Sequence, residues 1–144
     1  MIAAVLDTHV LASGVLGLTR SVSAPAELLR RWQHGTFTLI VSEYILAELA
    51  RTFTDRYFTR ELTPVEISTA LLTLRADAVL QPISIEVHGV ATQPKDDLIL
   101  AAALSGNARY LVSGDRALLA LGHFRGITIL SSRQFLDILD AGAD

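Results

Sequence analysis

Four acidic residues stand where chemistry on a metal ion or a phosphate group could be assembled. Asp7 ends a short apolar run, and Glu48 lies in the helix that follows the next predicted strand. Asp96 begins an apolar helix, and Asp115 stands in a glycine-containing turn after another strand. In an open parallel α/β sheet the ligand crevice lies at the carboxyl ends of the strands, where these acids would meet. Like charges gathered there are unfavourable unless protons or divalent cations neutralise them.

The available donor atoms indicate which cation would suit such a cluster. The chain has no Cys, and its four histidines show no spacing typical of zinc ligands. Hard carboxylate oxygens favour Mg²⁺ or Mn²⁺ over zinc, and such a site suits phosphoryl transfer. Each acid alone also has an ordinary explanation. Asp7 and Asp115 could cap helices, Asp96 and Asp97 could complement a helix dipole, and Glu48 could be a solvated helix residue.

Sequence fingerprints of other α/β chemistries are absent. The chain contains no G-x-x-x-x-G-K-[ST] loop, no G-x-G-x-x-G after its first strand and no G-x-S-x-G elbow. Position 9 is His, so a second carboxylate two residues after Asp7, as in phosphatases that form an aspartyl-phosphate, is missing.

Alternating strands and helices would position the acids. We predict strands over residues 2–6, 36–41, 79–85 (short or at an edge), 110–112 and 127–130. We predict helices over 8–16 before a break at Gly17, between a Ser23 cap and Gly35, from Glu43 after a Ser42 cap, from Pro64 to about 76, from Asp96 to Gly106, over 117–121 and over 132–139. This alternation predicts an α/β fold of three layers, α/β/α, around a mainly parallel sheet.

Length and composition predict one domain over residues 1–144 with a full core. The longest stretch without charge, residues 8–19, is too short for a spanning helix, so we expect no membrane segment. The first basic residue is Arg20, which argues against a secretory signal and favours a cytoplasmic protein. A net charge of −3 is not typical of a general nucleic-acid coat protein.

Four segments, each carrying one of these acids, resemble those of PIN-domain nucleases, the fold of VapC-type toxins in toxin–antitoxin pairs. They are Val5-Leu6-Asp7-Thr8-His9-Val10, Ser42-Glu43-Tyr44-Ile45-Leu46-Ala47-Glu48-Leu49, Lys95-Asp96-Asp97 with its Ala-rich helix, and Leu111-Val112-Ser113-Gly114-Asp115-Arg116. The similarity covers nearly the whole chain. It implies a ribonuclease that hydrolyses RNA phosphodiesters with Mg²⁺ or Mn²⁺, a small antitoxin partner and a homodimer.

The resemblance also implies roles for single residues. Asp7 and Asp96 would be the principal metal ligands, and Glu48 and Asp115 would bind metal through water or orient the attacking water. Asp97 is the second choice for the third acid, since it lies one step around the helix from Asp96. Hydrogen bonds to a ligand carboxylate would come from Thr8 or Ser113. Candidate phosphate contacts are Arg116, Lys95 and Arg20, which could equally be solvated surface charges.

Two departures from the family pattern keep other functions open. The family commonly has Asn where this chain has His9, and related members often carry another Asp where it has Gln93. One alternative is a non-catalytic PIN-like module that binds RNA or protein. Another is a DNA or structure-specific nuclease using the same chemistry. Retention of all four acids favours an enzyme, because a binding module has little reason to keep their mutual repulsion.

Overall fold

A computed structural model describes residues 1–20 and 22–142 of the protein. Its strands are β1 (Ala3–Leu6), β2 (Thr38–Val41), β3 (Val79–Leu80), β4 (Tyr110–Val112), β5 (His123–Phe124) and β6 (Ile127–Leu130). Its helices are α1 (Thr8–Arg20), α2 (Ala24–Gln33), α3 (Glu43–Thr52), α4 (Arg56–Thr59), α5 (Pro64–Asp77), α6 (Pro94–Ser105), α7 (Arg116–Leu121) and α8 (Ser132–Asp140). None of the described helices is long and apolar enough to cross a membrane.

The sheet has the strand order β3-β2-β1-β4-β6-β5, and every neighbouring pair is parallel except β5 with β6. Successive side chains of a strand point to opposite faces. All three residues of β4 are buried, as are the last three of β1, so both faces of the sheet are covered. The predicted three-layer α/β/α fold with a mainly parallel sheet is therefore confirmed.

Local capping signals explain where several helices begin. The hydroxyls of Ser23 and Ser42 accept hydrogen bonds from the first turns of α2 and α3. Thr63 and Ser131 form complete capping boxes at the starts of α5 and α8. These four starts agree with the sequence prediction to within one residue.

Other predicted boundaries were wrong. Gly17 does not break α1, which continues to Arg20, and the predicted 79–85 strand pairs only over Val79 and Leu80 at the sheet edge. Helix α4 and strand β5 were not predicted. Strand β5 forms because the tight return at Arg125 and Gly126, both with positive φ, folds it back antiparallel onto β6.

Close packing between α1 and α2 explains why α1 contains glycines. A Cβ at Gly17 would lie 2.7 Å from the Cβ of Ala26. A Cβ at Gly14 would lie 2.7 Å from a methyl of Leu29 and 2.9 Å from the carbonyl oxygen of Pro25. These contacts are shorter than real Cβ atoms make, so the two helices approach as closely as they do because both positions lack a side chain. This contact supports α1, whose first turn adjoins Asp7.

We therefore expect Gly14→Ala and Gly17→Ala to destabilise the protein although Ala is the better helix former. Overpacking costs about 1–3 kcal/mol, against a propensity gain of roughly 1 kcal/mol. The exposed Ser13 of the same helix provides the control, because Ser13→Ala changes helix propensity without meeting a neighbour. Chemical denaturation of the three variants measures the difference. A Gly17→Ala variant at least as stable as Ser13→Ala would contradict the packing argument.

Candidate active site

Parallel pairing of the two central strands brings the first candidate residues together. Leu6 of β1 is paired with Val112 of β4, and the backbone N–H of Asp7 continues the ladder by donating to the Val112 carbonyl at 3.0 Å. The next residue of each strand is therefore a neighbour of the other. Asp7 and Ser113, which lie 106 positions apart in the chain, meet at the carboxyl edge of the sheet.

Both carboxylate oxygens of Asp7 accept hydrogen bonds. Oδ1 accepts from the backbone N–H of Val10 at 3.0 Å, which caps α1, and Oδ2 accepts from the Ser113 hydroxyl. The same hydroxyl oxygen accepts from the backbone N–H of Asp115 at 3.0 Å. Ser113 is completely buried, so its hydroxyl links the Asp7 carboxylate rigidly to the turn that carries Asp115.

Asp115 is the N-cap of α7, because its Oδ2 accepts from the backbone N–H of Leu118 at 3.0 Å. The ordinary capping roles considered for Asp7 and Asp115 are thus real. They do not compete with a function, since a carboxylate has about four lone-pair sites and these bonds use only part of them. The caps instead orient each carboxylate relative to the sheet edge.

Helix α3 contributes a third acid and an aromatic residue. Glu48 lies one turn after Tyr44, so both side chains project from the same face of the helix. The Glu48 carboxylate pairs with the guanidinium of Arg51 at 2.5 Å. Burial, with a smaller contribution from the Glu48 charge, raises the pKa of the Tyr44 hydroxyl. Tyr44 was missed by the sequence prediction, although its i, i+4 spacing from Glu48 was the signal that could have found it.

The two adjacent acids at the start of α6 have different surroundings. Asp97 is buried and points into the preceding loop, where it accepts backbone N–H groups from Gly89 at 3.0 Å, Val90 at 3.2 Å and Ala91 at 2.7 Å. Asp96 is equally buried but forms no side-chain hydrogen bond or ion pair with residues 1–20 or 22–142. This contrast supports Asp96 as the site acid and indicates that Asp97 holds the loop.

The four acids line one cleft of about 370 Å³ at the carboxyl edge of the sheet. Its full lining is Asp7, Thr8, His9, Tyr44, Glu48, Thr52, Gln93, Lys95, Asp96, Ile99 and Asp115. Both residues that depart from the family pattern, His9 and Gln93, belong to it, as does the candidate phosphate contact Lys95.

Four of the predicted site residues do not line the cleft: Asp97, Ser113, Arg116 and Arg20. Arg20 was expected near the acids, and this was wrong. It ends α1 about 18 Å along the axis from Thr8, and it pairs with Glu61 and Glu66. Arg116 is exposed at the start of α7, and the Ser113 hydroxyl contacts Asp7 and the backbone N–H of Asp115.

The cleft lining brings four acids together with Lys95 and His9. Burial raises the pKa of the Asp7 carboxyl, outweighing its two hydrogen bonds and the nearby His9. Burial also raises the pKa of Asp96, and repulsion by Asp115 raises it further while Lys95 opposes the change. Within the described part of the chain, Asp7, Asp96 and Asp115 form no ion pair.

This donor set fits a hard divalent cation. Among residues 1–20 and 22–142, no group of three or more His, Asp or Glu side chains is placed to hold a metal ion. Mg²⁺ needs no such group, because it keeps several waters and is usually bound through one or two carboxylates together with substrate phosphate. Two buried carboxylates without cationic partners beside an open, polar cleft match that mode of binding.

A comparison with protein-family models identifies the family of this chain. A family model described as "PIN domain" matches residues 3–117, and the chain therefore belongs to the PIN domain family. PIN domains are generally nucleases, and PIN nucleases usually use divalent metals. A comparison with curated protein sequences finds no significant relative.

Three solved structures share this fold. VapBC2 from Rickettsia felis, in a structure bound to a DNA fragment from its promoter, has a TM-score of 0.58. It is 15% identical in sequence, and the match covers 89% of this chain and 97% of that chain. FitAcB from Neisseria gonorrhoeae has a TM-score of 0.55 and is 16% identical in sequence, and the match covers 90% of this chain and 98% of that chain. The T. brucei RRP44 PIN domain has a TM-score of 0.54 and is 15% identical in sequence, and the match covers 99% of this chain and 84% of that chain. At sequence identities of 15–16%, the similarity to these structures shows that the fold is shared.

The raised pKa values predict how stability depends on pH in metal-free protein. Asp7 and Asp96 keep their protons to higher pH in the folded state than in the unfolded chain, where their pKa is about 3.8. The free energy of unfolding therefore falls as the pH rises from about 3.8 through the raised pKa values of the folded state. In EDTA at pH 7, Asp96→Asn should therefore melt at or above the parent, and Asp7→Asn should gain less, because its amide cannot accept from both Val10 and Ser113. The gain should vanish near pH 4.

Asp97→Asn should have the opposite effect, because an amide replaces an acceptor that three N–H groups share, a loss of about 1–3 kcal/mol. The exposed Asp137 provides a control, and Asp137→Asn should change stability by less than about 0.5 kcal/mol. Differential scanning calorimetry across pH 4–8 separates these cases. If Asp96→Asn melts lower than Asp97→Asn at pH 7, the two carboxylates have exchanged roles.

Proposed function

We propose that this protein is a metal-dependent endoribonuclease that hydrolyses RNA phosphodiester bonds. We also propose that residues 1–144 form a single domain. The observation that carries the proposal is the convergence of Asp7, Glu48, Asp96 and Asp115 on one cleft in a PIN-family chain. Two of these carboxylates are buried without a cationic partner. A divalent cation with the phosphate of a substrate would complete the charge balance that the protein alone leaves open.

Asp7 and Asp96 are the proposed ligands for Mg²⁺ or Mn²⁺. When bound, such a cation supplies a lowered pKa for a coordinated water and neutralises charge on the phosphoryl oxygens and the leaving group. The Ser113 hydroxyl holds the Asp7 carboxylate in a single orientation. Glu48 and Asp115 orient the attacking water through their free lone pairs, and Lys95 contacts the substrate phosphate from the cleft wall.

Purified protein should cleave RNA with Mg²⁺ or Mn²⁺, and EDTA should abolish the activity. Ca²⁺ should bind and support cleavage poorly, because its looser coordination shell positions water and phosphate less well. Asp7→Asn and Asp96→Asn should each lower the single-turnover rate at least about 100-fold, since each removes a proposed ligand and its charge. Ser113→Ala should weaken metal activation about 10- to 100-fold by releasing the Asp7 carboxylate.

Asp137→Asn is the matched control, an exposed acid outside the cleft that should cut at the parental rate. Full activity of Asp96→Asn beside an inactive but folded Asp97→Asn would move the metal ligand by one residue. Absence of metal-dependent cleavage of any nucleic acid would support a binding module instead. Cleavage of DNA but not RNA under the same conditions would assign the other substrate.

We further propose that the protein is the toxin of a type II toxin–antitoxin pair, acting in the cytoplasm as a homodimer with a small antitoxin partner. The family assignment supports this, together with the fold shared with VapBC2 and FitAcB. Exposed apolar side chains on α5, Val65 and Leu72, beside an apolar groove of about 280 Å³ between α1, α2 and α5, support a protein partner.

Expression of the chain alone should arrest growth, and co-expression of a small neighbouring gene should relieve the arrest. The Asp7→Asn variant should be harmless while still binding the antitoxin, because it changes the cleft and not the outer surface. Light scattering at micromolar concentration should give the mass of a dimer. A monomer, together with no neighbouring gene that relieves toxicity, would contradict both parts.

A further inference from the structure

A second cavity, also of about 370 Å³, adjoins the acidic cleft. His9 and Thr52 line both, so the two cavities are neighbours; together we call them the groove, and the second cavity, on the side of α4, is its extension. The extension is bordered by the end of α3 and by α4; its charged side chains are Arg51 and Asp55, and its aromatic side chains are Tyr57 and Phe58. None of the residues that hold the proposed metal belongs to it.

Tyr57 presents an aromatic ring at the groove surface. It is 63% exposed, yet its ring packs edge-to-face on Phe58, with centroids 5.1 Å apart. Phe58 in turn packs edge-to-face on the buried Phe53 at 5.7 Å. The ring of Tyr57 therefore contacts this buried aromatic pair while most of its surface stays accessible. An accessible aromatic face in a groove is the usual platform on which proteins stack an unpaired base.

Arg51 connects the two parts of the groove. Its side chain is 75% exposed and reaches back to the Glu48 carboxylate, while also lining the extension. A planar guanidinium at this boundary can bind a phosphate through two parallel hydrogen bonds. Because the Arg51 side chain is this exposed, a phosphate can reach its guanidinium while it stays paired with the less exposed Glu48.

We propose that the extension binds an unpaired nucleotide of the RNA next to the bond that is cut, with its base stacked on Tyr57 and its phosphate held by Arg51. This inference rests on the proposed function. Adjacency to the acidic cleft favours a nucleic acid over a protein, because the same strand would then cross both parts of the groove. Stacking on Tyr57 requires a base free of its duplex neighbours, so the preferred substrate is single-stranded.

The test is binding of fluorescein-labelled oligonucleotides, measured by anisotropy in Ca²⁺ with gel analysis showing intact RNA. Tyr57→Ser should weaken binding of single-stranded RNA about 5- to 100-fold, the range for loss of one stacked base, while Tyr57→Phe should bind within about twofold of the parent. Thermal melting shows whether the variants fold. If Tyr57→Ser melts early, Tyr57→Leu, which keeps an apolar contact with Phe58, takes its place.

Salt dependence tests the phosphate contact. Arg51→Gln should reduce the slope of log K against log salt by about 0.7, the value for one phosphate contact on a single strand. Arg56, exposed on α4 and outside the groove lining, supplies the matched control, and Arg56→Gln should leave the slope unchanged. An equal reduction in both variants would overturn a specific role for Arg51.

The outcomes separate this inference from the proposed function, because binding is measured without cleavage. Loss of oligonucleotide binding in Tyr57→Ser, in a protein that never cleaves RNA, would support the nucleotide site and refute the nuclease. If the protein cleaves RNA with metal but Tyr57→Ser leaves RNA binding unchanged, the nucleotide site is refuted and the proposed nuclease function stands. This holds even if the substitution weakens the binding of a protein partner. Equal affinity of the parent for a blunt duplex of the same sequence would also overturn the site.

Discussion

The parallel pairing of β1 with β4 is the constraint on which the candidate site depends. It sets Leu6 opposite Val112, so the residues that follow, Asp7 and Ser113, emerge side by side. The Ser113 hydroxyl then connects Asp7 with the backbone of Asp115. A register slip of one residue would turn these side chains to the other face of the sheet. Because both strands are buried on two faces, the apolar core resists such a slip.

The cleft carries a free-energy cost that the rest of the fold offsets. Burial of Asp7 and Asp96 disfavours their charged forms, and each lies close enough to other acids to feel their repulsion. Such groups are retained where function needs them rather than where stability does. The helix caps at Asp7 and Asp115 recover part of this cost, since the same carboxylates that repel one another also stabilise α1 and α7.

Neighbouring residues of identical type have distinct tasks at the start of α6. Consecutive helix positions differ by about 100° around the axis, so Asp96 and Asp97 cannot face the same surroundings. Three backbone N–H groups of the preceding loop reach Asp97, whereas Asp96 lines the cleft. Sequence reasoning ranked Asp96 above Asp97 by resemblance alone. The loop from Gly89 to Ala91 supplies the physical reason for the difference between them.

What the sequence determined by itself is the local and periodic part of the structure: capped helix starts at Ser23, Ser42 and Thr63, apolar strands, their alternation, and hence the edge of the sheet where four acids would meet. These follow from interactions within a few residues. Only the tertiary structure decided that Gly17 serves close helix packing instead of ending α1, that Arg20 lies a helix length from the acids, and that Tyr57 lines the same cavity as His9. Those facts depend on contacts between segments distant in the chain, whose geometry no local pattern encodes.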